Sequence, residues 1–495
     1  MTVLLLLDAL LAAAVLLLPT ERRQALAVVA TLVVTPVLLV AHVADTDAVQ
    51  SLVDRPVVLV GAVVVAAAVV AGLTWLLLRR PGLLPLLAMA ALPFRVPLAV
   101  GGSTSNLLVP FYAVIAAGAL AFVITALREP DPARGGPRRT PAVGWLERAL
   151  AATLVLYALQ AFGSEDTGKA IENAVFFYVP FALLLVLLAR LAWTRALALR
   201  CLGVLAGLAV LFALIGFVEY ATRDLLLNPK LIASSSFESY FRVNSLFYDP
   251  NIYGRFLMVV LLGLSGVLLW TRSQRDALVT SGLLVVLWAG LLVTFSQSSF
   301  AGLLLGLAIL GGLRWGVRRA AIGVGAVVAV GLAVVLLAPG AINLDLGASN
   351  GLDSATSGRT DLIQGGVDLA ADKPVLGWGS GSFSRAYRDH QDASAQRAVS
   401  ASHTIPITVA AEQGIVGLLL YLALLVLALR RLLAGAGDDP ARAVVAAAFC
   451  ALLLHTMLYA AFLEDPLSWA LLGVGLGLAR AAPPSRRRAR VVPSS

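Results

Sequence analysis

The chain has 495 residues, 60% of them hydrophobic and 13% charged, with a formal net charge of +9. Soluble domains carry roughly 25% charged residues, so this composition, with a mean hydropathy of +0.90, excludes an ordinary soluble enzyme. The two cysteines, Cys201 and Cys450, make no disulfide framework or thiolate site, and the four histidines lack HxxxH spacing, so neither a metal nor a cofactor is expected.

Apolar runs long enough to cross hydrocarbon predict about fifteen spans, at 2–19, 24–43, 56–78, 82–100, 106–126, 145–163, 172–190, 199–220, 251–271, 277–294, 299–313, 319–338, 404–429, 442–461 and 466–480. The expected fold is all-α: a polytopic integral membrane bundle of about 12–15 transmembrane helices. The first run has no basic segment ahead of it and no cleavage site of small residues, so it reads as a retained helix.

Basic residues fall in alternate connections, among them Arg22/Arg23, Arg79/Arg80, Arg318/Arg319, Arg430/Arg431 and the tail Arg486, Arg487, Arg488 and Arg490. Cytoplasmic loops are the ones enriched in Lys and Arg, so the positive charge is topological and no nucleic-acid partner is expected. This divides the chain into N-terminal helices (1–220), central helices with an outer loop at 221–250 (221–338), a large extracytoplasmic loop (339–403), C-terminal helices (404–481) and a basic cytoplasmic tail (482–495).

The loop 339–403 holds seven acids and five bases, so any anion binding there must come from particular arginines. Within it, 359–371 reads as an amphipathic helix stopped by Lys373-Pro374, followed by a glycine-rich turn and a second helix over 382–390 that carries Arg385 and Arg388. Long loops with their own secondary structure are usually functional.

Four arginines fall near the outer membrane level: Arg95, Arg242, Arg255 and Arg359. Arg95 and Arg255 lie inside apolar runs, where a cation is costly without a polar cavity or partner. Their guanidinium forks suit a lipid diphosphate; the competing reading is snorkelling, or pairing with Glu238, Asp249 or Glu412. His403 opens a span facing outside solvent and can take a proton near neutral pH. Glu412 stands about half a helical turn around from His403, so its expected partner is an arginine on a neighbouring span. His42 and His455 lie within spans and are expected to bond neighbouring helices. Ser296, Ser298 and Ser299 occupy an outer turn, where they could meet a sugar or satisfy the turn's own backbone.

Several motifs occur in a fixed order: Arg242 through Pro250-Asn251; Thr294-Phe295-Ser296-Gln297-Ser298-Ser299; Ser357-Gly358-Arg359; Pro374-Val375-Leu376-Gly377-Trp378-Gly379-Ser380-Gly381; Ser402-His403-Thr404; and Glu412-Gln413-Gly414-Ile415-Val416-Gly417. From about Arg242 to Gly417 the chain resembles the O-antigen ligase and O-antigen polymerase superfamily. It departs at Gln297, where arginine is common, and at Thr404, where asparagine usually follows the histidine. The resemblance implies a metal-independent, inverting glycosyltransferase of the bacterial cytoplasmic membrane, acting on the extracytoplasmic face. The donor would be a glycan on undecaprenyl diphosphate, and the acceptor a polysaccharide, lipid or protein. By that resemblance His403 would be the base and Arg242 and Arg359 the diphosphate ligands; Arg255 and Arg95, from their depth in apolar runs, are further candidates for the diphosphate, and Arg385, Arg388, Gln297 and Asn251 are candidate substrate contacts. A flippase of lipid-linked glycans would also explain the spans and the intramembrane arginines, and a different lipid-phosphosugar glycosyltransferase would use Asp45 and Asp47 to ligate a metal or activate an acceptor.

Overall fold

The structure, a computed structural model, describes residues 1–44, 46–100, 103–128, 143–227, 241–323, 325–326, 359–390, 404–459 and 461–481. The fold is helical, as expected. Among the described residues, ten helices are long and apolar enough to cross a membrane: Glu21–Val43, Pro56–Arg79, Val109–Arg128, Thr167–Ala189, Arg195–Thr222, Pro250–Trp270, Gln274–Leu292, Gln297–Trp315, Ile405–Asp438 and Pro440–Leu458. The chain is a multi-pass membrane protein. Thr2–Leu17 and Pro466–Ala481 are apolar but only 16 residues each, about 24 Å of helix, less than the hydrocarbon thickness of ~30 Å.

The expected span at 82–100 is not one helix. Its helical part ends with Leu84–Ala91, two residues before Pro93, which has no N–H with which to continue the helical ladder. The chain then forms a small antiparallel hairpin, Val96–Val100 with Ser103–Leu107, leaving Arg95 at the junction.

Burial separates a central set of helices from a peripheral one. Thr167–Ala189, Pro250–Trp270 and Pro440–Leu458 are mostly enclosed, at 78%, 72% and 67% of their apolar windows, against 6% for Pro56–Arg79. Without a hydrophobic drive between helices in lipid, close backbone approach must do the joining, and small residues supply it. A Cβ on Gly302 would lie 2.9 Å from the Ala451 carbonyl oxygen, and one on Gly473 would lie 3.0 Å from that of Leu185.

The feature that positions the large loop is a break in the helix Ile405–Leu433 at Gly414, with φ 62° and ψ −162°, a conformation essentially restricted to glycine. The break frees backbone groups that hydrocarbon cannot satisfy. The glycine turn of the loop supplies partners. Trp378 N–H donates to the Ala411 carbonyl (2.9 Å) and Gly379 N–H to that of Glu412 (2.8 Å), while Ile415 N–H donates to Pro374 O (2.8 Å). Gln160 Nε2 donates to both Gln413 O (3.0 Å) and Leu376 O (3.2 Å), bracing the two segments from a third element.

Gly377, at φ 70°, lies so close to the break that a Cβ would sit 2.3 Å from the Glu412 carbonyl carbon. The helices Arg359–Asp372 and Phe383–His390 flank this turn, where the amphipathic spacing and Lys373-Pro374 predicted them. Leu362, Leu369, Trp378, Phe383, Ala386 and Tyr387 pack there against Ala411.

Gly414→Ala should therefore lower the apparent melting temperature in detergent sharply. The backbone alone costs about 1–3 kcal/mol, and the new methyl would meet Val375 O at 2.3 Å. Gly61→Ala, with nothing within 4 Å, serves as the control and should leave melting unchanged or slightly raised.

Candidate functional site

The polar centre is built on three helix starts. Asp249 precedes Pro250 and caps Pro250–Trp270, its carboxylate accepting from Asn251 N–H (2.6 Å) and Ile252 N–H (3.4 Å). This directs Asn251 and Arg255, four residues apart and so on one helix face, toward the turn 294–299. That turn comes very close: a Cβ on Gly254 would lie 2.6 Å from Ser299 Oγ. Asp465 precedes Pro466 in the same way, and one of its oxygens accepts from Leu467 N–H (2.8 Å).

The other oxygen of Asp465 pairs with Arg255 Nη1, which also donates to the Ala461 carbonyl (3.2 Å). Arg255 Nε donates to His455 Nδ1 at 3.2 Å. The ring of Tyr459 lies 5.7 Å from the guanidinium carbon. Arg255 is 1% exposed, so it is a neutralised, enclosed cation. Among the described residues its ion-pair partner is Asp465, not the Asp249 or Glu412 that sequence considerations offered; Glu238 lies outside them.

Arg242 is placed differently. Nε donates to Thr294 O (3.1 Å) and Nη2 to Asn251 Oδ1 (3.1 Å). Among the described residues these are its only hydrogen bonds, out of five donors, and it forms no ion pair there. Arg242 is half-buried, as is Arg95. The groups acting electrostatically on Arg95 include Asp465, Arg255, Tyr112 and Tyr459, so Arg95, Arg255 and Asp465 belong to one electrostatic neighbourhood. Burial and the adjoining Asp249 carboxylate push the Tyr459 phenol well above its ordinary range, keeping it a hydrogen-bond donor.

The serine turn closes the arrangement. Ser296 Oγ donates to Asn251 Oδ1 (2.9 Å) and lies 2.8 Å from Ser299 Oγ, while Ser298 and Ser299 each approach His455 Nε2 at 3.2 Å. The turn's hydroxyls thus join neighbouring helices as well as serving their own backbone. Asn251 is buried within this network; Gln297, exposed, opens the helix Gln297–Trp315.

The remaining candidates lie on the loop. Arg385 and Arg388 are exposed on Phe383–His390, with Arg385 3.8 Å from Asp389. Arg359 opens the helix Arg359–Asp372, which packs against the broken helix. His403 lies outside the described residues, as do Asp45 and Glu238. Thr404, the next residue after His403, donates to the Met457 carbonyl (3.2 Å), two positions from His455.

Among the described residues Glu412 does not meet an arginine. Its carboxylate accepts the N–H groups of Gly381 (3.0 Å) and Phe383 (3.1 Å), anchoring the glycine turn and the start of Phe383–His390. Tyr459 and Asp465 were missed in the sequence reading. The cue for Asp465 was present in its position before a proline, the pattern that also caps Pro250–Trp270 and Pro440–Leu458.

Residues 282–422 match the O-Antigen ligase family. No curated protein matches the chain. The matched segment takes in the serine turn, the glycine turn and the break at Gly414. Arg242, Asn251, Arg255, His455 and Asp465 lie outside it.

Removing one partner of a buried ion pair strands the other, at a cost of about 3–5 kcal/mol. Asp465→Ala should therefore destabilise the protein strongly in thermal melts, whereas the double variant Arg255→Met/Asp465→Leu should recover much of the loss. Equal destabilisation by the single and double variants would contradict the assignment of the pair.

Proposed function

We propose that this membrane protein, whose residues 282–422 match the O-Antigen ligase family, is a glycosyltransferase that moves a glycan from a polyprenyl-diphosphate carrier onto an acceptor hydroxyl. The reaction takes place on the extracytoplasmic face of the bacterial cytoplasmic membrane. The observation that carries this reading is the contrast between the two arginines of the Pro250–Trp270 corner. Arg255 is neutralised by Asp465, while Arg242 is fixed by neutral acceptors and, among the described residues, has no ion-pair partner.

Diphosphate binding falls to Arg242, together with Arg95, Arg255 and Arg359. A guanidinium cannot lose its proton and binds phosphate oxygens in a planar fork. Attack at the anomeric carbon builds negative charge on the departing diphosphate, so arginines already held in place stabilise the transition state more than the ground state. They supply this stabilisation without a metal ion.

His403 is the general base. The acceptor oxygen forms its bond to the anomeric carbon as the His403 imidazole takes the hydroxyl proton. The bond from that carbon to the diphosphate oxygen breaks, its electron pair leaves with the diphosphate, and the configuration inverts. The lipid holds the donor at the depth of the arginines and so supplies proximity. Arg385, Arg388 and Gln297, all exposed, are available to the glycan or acceptor.

The flippase reading draws on the broken helix, since discontinuous helices line transport sites. At Gly414, however, the glycine turn takes up Ala411 O, Glu412 O and Ile415 N–H, so the break serves as a docking point for the loop.

The test is to incubate the purified protein with a polyprenyl-diphosphate glycan and a panel of acceptors and to identify products by mass. Expected are glycosylated acceptor and free polyprenyl diphosphate, with a loss of about 10²–10⁴-fold in rate for His403→Ala at unchanged membrane accumulation. Undiminished transfer by His403→Ala would remove the histidine from the mechanism, and movement of labelled donor into vesicles without covalent product would establish the flippase instead.

A further inference from the structure

His455 lies wholly buried between the neutralised arginine and the serine turn. Its two ring nitrogens face opposite demands. Arg255 Nε carries a hydrogen and can only donate, so His455 Nδ1, 3.2 Å away, must be the acceptor and bear no proton. The other nitrogen, Nε2, faces Ser298 Oγ and Ser299 Oγ, both at 3.2 Å. A neutral imidazole then carries its hydrogen on Nε2 and donates it to the turn. Protonation of both nitrogens would set a second cation against Arg255 and turn donor against donor.

From that starting point the hydrogen bonds run in one direction. Nε2–H donates to Ser299 Oγ, whose own hydrogen passes to Ser296 Oγ at 2.8 Å. Ser296 donates to Asn251 Oδ1 at 2.9 Å, and the same oxygen accepts from Arg242 Nη2 at 3.1 Å. Ser299 accepts once and donates once in this chain; Ser296 donates to Asn251 and also has Ser298 Oγ at 3.3 Å, a branch that leaves the direction unchanged. The far end is the guanidinium on which the proposed diphosphate binding depends.

We propose that His455 is a positioning residue, a neutral imidazole protonated on Nε2 that couples the enclosed Arg255–Asp465 pair to Arg242 through Ser299, Ser296 and Asn251. It acts through Arg242 and touches no substrate. Its value to the reaction is geometric: preorganised donors cost no rearrangement as the leaving group charges, and a displacement of about 1 Å can cost on the order of 100-fold in rate.

The inference rests on the glycan-transfer reading, and the experiment keeps the two separable. Glutamine offers an acceptor oxygen and a donor nitrogen at comparable reach, whereas phenylalanine fills the volume with neither. His455→Gln should hold kcat within about 10-fold of the parent, and His455→Phe should lose about 100-fold in kcat, with KM for the acceptor unchanged in both. Equal kcat for the two variants, in a preparation whose parent protein transfers glycan, would overturn the positioning role and leave the transfer reading intact.

A readout independent of activity covers the case in which His455→Phe fails to fold. ¹⁵N-histidine NMR of the parent protein, with the His455 signal identified by its loss in His455→Gln, should show Nδ1 unprotonated and Nε2 protonated at neutral pH. A proton on Nδ1 would overturn the proposal whether or not the protein transfers glycan.

Discussion

The arrangement depends on one backbone constraint: a transmembrane helix cannot be interrupted unless something else satisfies the groups the interruption exposes. The chain breaks the helix Ile405–Leu433 at Gly414 and fills the gap with the turn 374–381. The two segments are therefore conditional on each other. The break would be costly in lipid without the turn, and the turn would have no seat without the break. Glycines 377, 379 and 381, all at positive φ, let the turn approach as closely as these bonds need. Glu412 adds its carboxylate to the same joint, accepting from Gly381 and Phe383. What is fixed in consequence is the loop, with the helices Arg359–Asp372 and Phe383–His390 held against the bundle end where the Thr404 hydroxyl meets the Met457 carbonyl.

On the bundle side, the placement of charge follows a related logic. A buried arginine is expensive unless it is paired and hydrogen-bonded, and Arg255 has Asp465, the Ala461 carbonyl and His455 around it. Arg242 is held by a carbonyl and an amide oxygen, acceptors that orient a guanidinium without cancelling its charge. The pair behind and the cation in front are linked through polar side chains of three helices, so a ligand diphosphate would meet a donor whose direction is set in advance.

Much of this was legible in the sequence wherever the physics is local. The loop helices followed from amphipathic spacing and a Lys-Pro stop, and most spans followed from hydropathy. The family resemblance rested in part on glycines, and Gly377, Gly379, Gly381 and Gly414 occupy positions where a side chain would collide with backbone. Less legible were features set by partners far along the chain. Glu412 was expected to pair with an arginine, because a buried acid in an apolar run invites one; two backbone N–H groups of the loop satisfy it. Asp465 lies 210 positions from Arg255, and no local pattern joins them. Hydropathy alone carried the expected span at 82–100 through Pro93 and Pro97, where the chain instead turns into a hairpin.

The central claim is that the loop histidine and the bundle arginines work on one substrate, and proximity tests it most directly. With Cys201 and Cys450, the chain's two cysteines, replaced by alanine, cysteines at positions 242 and 403 can be offered a short bifunctional thiol reagent in membranes. A pair at positions 165 and 373, whose native side chains lie 3.5 Å apart, serves as the positive control. The account predicts that 242 and 403 cross-link as readily as the control pair. Efficient linkage of the control with none between 242 and 403 would contradict it.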